Sequence, residues 1–141
     1  MRAHETTLTV RFNEIDSFGV VWHGHYIQYF EIGRLDLCSK FDLSPEMVKR
    51  LRLFAPVIEI KCRLRSPAKY DDILLVKTSV VPSEKAMLTF SYKLYRKSDM
   101  TLLAEGETTH VFITLNWKML YEVPSKLRTK IEKMLEYLNG E

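Results

Sequence analysis

A carboxylate precedes a predicted helix start by only a few residues near the N-terminus of the chain. Asp16 belongs to a polar loop, and a helical pattern of apolar residues begins at His23. The first turn of a helix has unpaired backbone N–H groups and the positive end of the helix dipole, which together stabilise an oxyanion. A carboxylate beside them attacks a carbonyl or deprotonates water. The pair therefore indicates acyl transfer or hydrolysis. On residue types alone, a structural role in which Asp16 only caps a turn or helix stays open and ranks slightly ahead of the catalytic role.

Other common catalytic motifs are missing from the sequence. It contains no GxxxxGK[ST] phosphate loop, no GxGxxG, no GxSxG and no HExxH. Their absence argues against a nucleoside-triphosphate enzyme, a Rossmann oxidoreductase and a serine hydrolase of the α/β-hydrolase pattern. His23 and His25 are two residues apart at a helix start, so their side chains diverge, and no further ligand cluster accompanies them. We therefore predict no metal and no organic cofactor.

Length and composition limit the class of protein. The chain has 141 residues, of which 46% are hydrophobic and 28% charged, and its net charge is +3. These values are typical of one globular domain, here residues 1–141, and argue against a disordered or disulfide-dense chain. The charge is too small to indicate a nucleic-acid or membrane partner. Cys38 and Cys62 form no CxxC pair, and the N-terminus is too polar for a signal peptide, so we predict a cytoplasmic protein.

The elements that position Asp16 follow an α+β order. A strand is predicted over 7–12, an amphipathic helix over 23–41, and a short helix with Ser44 as its N-cap. A closing helix is predicted after Pro124, with Ser125 as its cap. The remaining strands are predicted at 58–65, 73–81, 87–96 and 102–115. A long helix followed by antiparallel strands favours a domain in which the helix packs on one face of the sheet.

Three blocks of the sequence follow one family pattern in the same order. The second and third blocks are Glu59-Ile-Lys-Cys-Arg-Leu-Arg-Ser-Pro-Ala-Lys-Tyr-Asp-Asp72 and Ala104-Glu-Gly-Glu-Thr-Thr-His110. The first block consists of Phe12, Glu14, Asp16, Gly19, Val20, Val21, Trp22, His23 and Tyr26, followed by Phe30, Glu31 and Arg34. Together they resemble the hot-dog-fold acyl-CoA thioesterases of the 4-hydroxybenzoyl-CoA thioesterase family. The first block is most similar to the branch associated with the bacterial Tol–Pal system.

The resemblance implies a fold and a set of site residues. The implied fold is α+β, an antiparallel sheet curled around one long central helix, plus a C-terminal helix. Asp16 aligns with the catalytic aspartate, as general base or nucleophile. His23 aligns with the position whose backbone N–H polarises the thioester carbonyl, and the histidine side chain is implicated in catalysis in the Tol–Pal branch. The implied substrate-binding positions are Gly19, Val20, Val21, Trp22, Gly24, His25 and Tyr26. His25 departs from the family, which usually has Asn or Ser there, and this leaves the choice of substrate open.

Glu31 and a row of basic residues have two interpretations each. Glu31 aligns with a helix glutamate that some hot-dog thioesterases use, which makes it a candidate second carboxylate, but it also suits an ion pair with Arg34. A row of basic residues suits either the phosphates of coenzyme A or a solvated strand face. These residues are Lys61, Arg63, Arg65 and Lys69.

The predicted function is hydrolysis of an acyl-CoA thioester to a free acid and coenzyme A. An acyl carrier protein is a second candidate for the carrier of the acyl group, whose identity the sequence does not determine. The resemblance implies a homodimer or homotetramer with shared sites, in which the edge strands left open by the curled sheets pair. A non-catalytic acyl-CoA or acyl-carrier-protein binding module with the same fold is the alternative. A hot-dog dehydratase is a weaker third.

Overall fold

A five-stranded antiparallel sheet organises the chain. The computed structural model describes residues 2–140. The strands lie in the order β1, β4, β5, β6, β3, and every pair of neighbours is antiparallel. They are β1 His4–Thr9, β3 Val57–Leu64, β4 Ile73–Val81, β5 Met87–Arg96 and β6 Thr101–Val111. Two short strands, β2 Leu53–Phe54 and β7 Ile113–Thr114, form a separate pair.

Within residues 2–140, three α-helices accompany the sheet. They are α1 His25–Ser39, α2 Pro45–Arg50 and α3 Ser125–Leu138. The long helix α1 packs against β1, β4 and β5, because Tyr26, Phe30 and Leu37 recur at helical spacing and are all buried. This arrangement confirms the predicted α+β order with one long helix against one face of the sheet. No helix within residues 2–140 is long and apolar enough to cross a membrane.

Two helices, α1 and α3, differ from the predictions at their ends. The helix predicted over 23–41 spans only His25–Ser39, with Gly24 as the N-cap, so His23 precedes the cap instead of beginning the helix. At α3 the predicted Ser125 cap is wrong. The Pro124 carbonyl accepts the Leu127 N–H at 2.9 Å, which starts the helix one residue earlier and leaves no capping side chain. Ser44 is confirmed as the N-cap of α2, since its hydroxyl accepts the Met47 N–H at 3.3 Å.

The first and last strands are shorter or shifted relative to the predictions. The strand predicted over 7–12 is β1, His4–Thr9, and Phe12–Glu14 form a 3₁₀ turn. The strand predicted over 102–115 ends at Val111, where the chain leaves the main sheet and pairs with β2. The displacement of β1 and the early end of β6 both depend on hydrogen bonds in turns, and these cannot be predicted from the alternation of polar and apolar residues.

The strand β3 forms one edge of the sheet. All eight of its residues are exposed, on both faces, and within residues 2–140 only β6 pairs with it. Its apolar side chains are 37% to 52% exposed: Val57, Ile58, Ile60 and Leu64. A long apolar edge with a row of unpaired backbone groups is a template for pairing with another chain.

Candidate active site

The residues before α1 form a tight loop with Asp16 at its base. Ile15 and Val21 form an antiparallel bridge, and the Asp16 N–H donates to the Val20 carbonyl at 2.8 Å. Gly19 closes the turn with a φ of 82°, a left-handed conformation that glycine adopts without strain. The reversal of the chain therefore brings Asp16 back beside the segment that leads into α1.

Asp16 and the segment before α1 both present unpaired polar groups. Asp16 is partly buried, and its Oδ1 accepts the Phe18 N–H at 2.8 Å. Its Oδ2 accepts no hydrogen bond from any part of residues 2–140. In the same described range the backbone N–H groups of His23 and Gly24 find no acceptor, whereas the preceding Trp22 N–H donates to the Glu14 carbonyl at 3.0 Å. One loop thus combines a carboxylate oxygen with two unpaired donors at the positive end of the α1 dipole.

An aromatic cluster surrounds these donors. The Trp22 ring lies so close to Gly24 that a Cβ at this position would overlap it. The ring centre of Trp22 is 4.9 Å from that of His23 and 5.5 Å from that of His25. His23 is exposed, and His25 Nδ1 lies 2.5 Å from Gln28 Oε1. Within the described residues neither imidazole bonds to Asp16, and no three His, Cys, Asp or Glu side chains converge.

Two buried residues hold the loop against the turn that follows β3. Val21 and Tyr26 are each 3% exposed. The Val21 N–H donates to the Ala68 carbonyl at 2.9 Å, and the Ala68 N–H donates to the Tyr26 hydroxyl at 2.9 Å. Burial raises the pKa of Tyr26, and the nearby Asp16 charge adds to this shift. The Ala68 backbone is an anchor that no side-chain pattern in the sequence could indicate.

Glu14 is a buried carboxylate two residues before Asp16. It is 4% exposed, and it accepts the Arg11 N–H at 2.8 Å and the Tyr29 hydroxyl at 3.0 Å. Burial disfavours its charge, but these hydrogen bonds and the Arg11 guanidinium outweigh burial, so the pKa of Glu14 lies below its ordinary value. Glu14 therefore ties the Asp16 loop to α1. Sequence reasoning assigned Glu14 no role. The signal in the sequence that could have indicated such a role is the spacing of Tyr26 and Tyr29, which share one face of α1.

The candidate second carboxylate, Glu31, lies on an exposed side of α1. Its Oε1 accepts a hydrogen bond from Arg34 Nη2 at 3.2 Å, and its side chain is 53% exposed. The predicted ion pair is therefore confirmed. No hydrogen bond in residues 2–140 joins Glu31 to the Asp16 loop.

The basic residues on and after β3 lie among carboxylates. Arg65 Nε is 3.2 Å from Glu105, and Lys61 Nζ is 3.6 Å from Glu59. Arg63 lies directly opposite Glu105 in the register of β3 and β6. These acidic neighbours reduce the positive potential of the row. All four residues named for coenzyme A phosphates are exposed: Lys61, Arg63, Arg65 and Lys69.

Known proteins share this fold and sequence pattern. A family model described as the thioesterase-like superfamily matches residues 10–131. The acyl-acyl carrier protein thioesterase ATL3 of Arabidopsis thaliana is 24% identical over 132 residues, which are 94% of this chain and 69% of that protein. The acyl-CoA thioester hydrolase YbgC of Escherichia coli is 25% identical over 104 residues, which are 74% of this chain and 77% of that protein. The crystal structure of a 1,4-dihydroxy-2-naphthoyl-CoA thioesterase from Synechocystis matches with a TM-score of 0.85 at 20% identity, covering 97% of this chain and 98% of that one.

Fold and family together define the class of the protein as a hot-dog thioester hydrolase. The predicted hot-dog fold is confirmed, with its antiparallel sheet, long helix and C-terminal helix. Because the family model spans most of its length, the chain belongs to the thioesterase-like superfamily. The prediction of an enzyme that hydrolyses thioesters is thereby confirmed for the class.

Proposed function

We propose that the chain hydrolyses an acyl-CoA thioester to a free acid and coenzyme A at the Asp16 loop. One observation carries the proposal: the Asp16 carboxylate and the unpaired N–H groups of His23 and Gly24 share a single tight loop. The similarity to YbgC, named an acyl-CoA thioester hydrolase, supports the substrate class. The signature residues also support a place in the branch associated with the Tol–Pal system.

In the proposed mechanism the thioester oxygen accepts hydrogen bonds from the N–H groups of His23 and Gly24. These donors and the α1 dipole stabilise the negative charge that develops on the oxygen. Asp16 Oδ2 acts in one of two ways. In the first, it takes a proton from a water molecule whose oxygen attacks the carbonyl carbon; the carbon–sulfur bond of the adduct then breaks, and the coenzyme A thiolate receives that proton. In the second, it attacks the carbonyl carbon itself; the carbon–sulfur bond breaks to release the coenzyme A thiolate and leave an anhydride, which water hydrolyses to the free acid and the Asp16 carboxylate. Coenzyme A is part of the substrate, and the proposal includes no metal or further cofactor.

The surrounding residues divide into a rim and a support. Gly19 and Val20 shape the turn, and the exposed Trp22 and the part-exposed His25 form the rim that a bound acyl thioester contacts. Val21 and Tyr26 act from beneath, because their side chains are buried. The Val21 backbone N–H and the Tyr26 hydroxyl bond to Ala68 in the turn after β3. In this proposal the His23 backbone N–H polarises the thioester carbonyl. The exposed imidazole of His23 assists from the solvent side.

The proposed position of coenzyme A lies along β3. Arg63 and Lys69 form no ion pair within residues 2–140, so they are the cations best placed for its phosphates. Lys61 and Arg65 contribute less because each has a carboxylate partner. An acyl carrier protein presents its acyl group on a phosphorylated arm, so it remains an alternative carrier, which the similarity to ATL3 supports.

We further propose that two copies of the chain pair through β3 into one continuous sheet. The exposed apolar edge and its unpaired backbone groups support this homodimer, and two such dimers would form the predicted homotetramer. In such a dimer the proposed active sites at the two Asp16 loops lie close to the boundary between protomers.

The class of reaction is tested by thiol release from a panel of short, long and aromatic acyl-CoA thioesters. The proposal predicts release from at least one member of the panel, with the free acid as the second product. Binding of acyl-CoA without release across the whole panel would contradict it and favour the binding module. Hydration of an enoyl-CoA without thiol release would favour the dehydratase.

A further inference from the structure

Three polar side chains from separate elements meet far from the Asp16 loop. They are His4 on β1, Asp36 on α1 and Tyr137 on α3. His4 Nε2 lies 2.8 Å from Asp36 Oδ2, and His4 Nδ1 lies 2.9 Å from the Tyr137 hydroxyl. An α-helix rises about 1.5 Å per residue, so Asp36 lies about 16 Å along the axis of α1 from His25, which begins the helix. The cluster is therefore separate from the proposed active site.

The hydrogen bonds of this cluster determine which atoms carry protons. Asp36 Oδ2 also accepts the Thr6 hydroxyl at 2.7 Å. The Thr6 bond, followed by the bond and charge of His4, lowers the pKa of Asp36 below its ordinary value although burial opposes this shift. Because the ionised carboxylate only accepts, His4 Nε2 carries the proton of the neutral imidazole. His4 Nδ1 then accepts, and the Tyr137 hydroxyl donates to it.

This order of groups is that of a base-activated nucleophile. The phenol oxygen of Tyr137 is the nucleophile, and His4 Nδ1 is a base within reach of its proton. Asp36 is a positioning residue, because it holds the imidazole through Nε2. The His4 side chain is only 13% exposed, which restricts the ring, whereas Tyr137 is partly exposed and accessible to a small reagent.

The position of the Tyr137 ring does not depend on its hydroxyl. The Arg2 N–H donates to the Leu138 carbonyl at 2.6 Å, and Arg2 Nε donates to the Tyr137 carbonyl at 2.8 Å. The Phe41 ring packs 5.4 Å from the Tyr137 ring, measured between ring centres. These contacts hold the end of α3 beside β1, so the bond between hydroxyl and imidazole is available for proton transfer.

Two cations flank the Tyr137 ring. The Arg2 guanidinium carbon lies 4.2 Å from the ring centre, and Lys40 Nζ lies 5.4 Å from it. In the described part of the chain, residues 2–140, neither cation forms an ion pair. Guanidinium and ammonium groups bind phosphate and stabilise negative charge that develops during a reaction. The surroundings of the phenol therefore favour an anionic reagent that contains phosphate.

We propose that Tyr137 is a site of O-acylation by acyl phosphates, with His4 as the general base. The Tyr137 oxygen attacks the carbonyl carbon, and His4 Nδ1 takes the phenol proton. The bond between that carbon and the bridging phosphate oxygen then breaks, and the leaving phosphate takes the proton from His4. The products are an acyl ester of Tyr137 and inorganic phosphate. The reaction is independent of the Asp16 loop and of thioester hydrolysis.

Acetylation by acetyl phosphate compares two tyrosines of the same wild-type molecule. Tyr121 is the matched control for Tyr137, because it is 85% exposed and its hydroxyl makes no hydrogen bond within residues 2–140. Mass spectrometry quantifies both peptides after the reaction is stopped with acid. Base activation predicts that Tyr137 is acetylated at least about tenfold faster than the more exposed Tyr121. A rate at Tyr137 no higher than that at Tyr121, or acetylation of Lys40 with none at Tyr137, would overturn the proposal.

His4→Gln tests the base. Because the amide is not basic, acetylation of Tyr137 should fall at least about tenfold at pH 7, while that of Tyr121 stays the same. At about pH 10 the difference from the wild type should disappear, because hydroxide then removes the phenol proton in both proteins. Asp36→Asn weakens the hold on the imidazole and should give a smaller loss with the same recovery. No loss in His4→Gln at pH 7, or a loss that persists at about pH 10, would contradict the role of His4.

Arg2→Gln tests the class of acyl donor. It should slow acetylation of Tyr137 by acetyl phosphate several-fold more than acetylation by p-nitrophenyl acetate, because only the first donor contains a phosphate. Lys126→Gln is the control, since it removes an exposed charge at the other end of α3 and should leave both rates unchanged. An equal effect of Arg2→Gln on both donors would contradict the assignment of acyl phosphates.

Discussion

At the residue scale, the two oxygens of Asp16 have different surroundings. Oδ1 accepts the Phe18 N–H at 2.8 Å, which holds the side chain, while Oδ2 is unpaired within residues 2–140. The spacing of Asp16 to the helix made a chemical role possible, and the family resemblance made that role the leading prediction. The support from Glu14 and Tyr29 was not predictable, because burial and hydrogen-bond partners across 15 residues of chain emerge only in the folded structure.

Tyr29→Phe tests this support. The change leaves the buried Glu14 without one donor, so we expect a loss of about 1–3 kcal/mol in the free energy of unfolding at pH 7. The lowered pKa of Glu14 contributes stability above pH 4.5 that disappears as the pH falls through the folded value. The variant should therefore lose stability at a higher pH than the wild type. Urea titrations from pH 7 to pH 3 measure both effects. Tyr70→Phe, which removes an exposed hydroxyl, serves as the control, and equal stability of the two variants would contradict the account.

At the element scale, strand bounds were predictable where the sequence carries turn residues. β4 and β5 match the predictions because Pro82-Ser83 and the Lys97-to-Asp99 turn interrupt the apolar alternation. The start of α1 was not predictable to the residue, because the His25 N–H donates to the Trp22 carbonyl at 3.0 Å and so makes a turn before the helix. His110 lies on β6 and is only 5% exposed, and no pattern in the sequence indicated its burial.

Burial of His110 predicts a specific pH dependence of stability. Burial and the Arg34 charge lower the pKa of His110 to about 4, despite its hydrogen bond to the Ala55 carbonyl. Between the ordinary value near 6.5 and this value, the unfolded chain binds a proton that the folded chain does not. Stability is therefore retained above pH 6.5 and decreases toward pH 4, by about 2 kcal/mol from this group at pH 5. His110→Gln should lack this component, and urea unfolding at pH 7 and pH 5 compares the two proteins. An equal decrease in both would contradict the assignment.

At the scale of the whole molecule, the single chain leaves its edge strand exposed on both faces. The fold class and the order of elements were predictable from periodicity. Pairing of an edge strand with a second copy was implied by the family resemblance, but the strand involved was not predictable, because one sequence does not distinguish an edge strand from an internal one. The exposure of every residue of β3 supplies the missing observation.

Ile60→Lys tests the proposed pairing. The side chain is 48% exposed in the protomer, so the unfolding free energy of the protomer should change by less than about 0.5 kcal/mol. Two copies paired through β3 would instead bring unpaired charges together. We expect the wild type to sediment as a dimer or tetramer and Ile60→Lys as a monomer. Thr7→Lys places the same charge on β1 at the opposite edge and should stay assembled. Identical sedimentation of wild type and Ile60→Lys would contradict pairing through β3.

The most direct test of the central claim compares turnover in two variants that each neutralise one carboxylate. Asp16→Asn keeps an oxygen for the Phe18 N–H and so preserves the loop, while Glu31→Gln alters the exposed carboxylate of α1. Thiol release from the best acyl-CoA substrate is measured at saturation for both variants and the wild type. We predict that Asp16→Asn loses about 10²–10⁴ in kcat and that Glu31→Gln stays within a few-fold of the wild type. A near-normal rate in Asp16→Asn, with turnover abolished in Glu31→Gln, would contradict it.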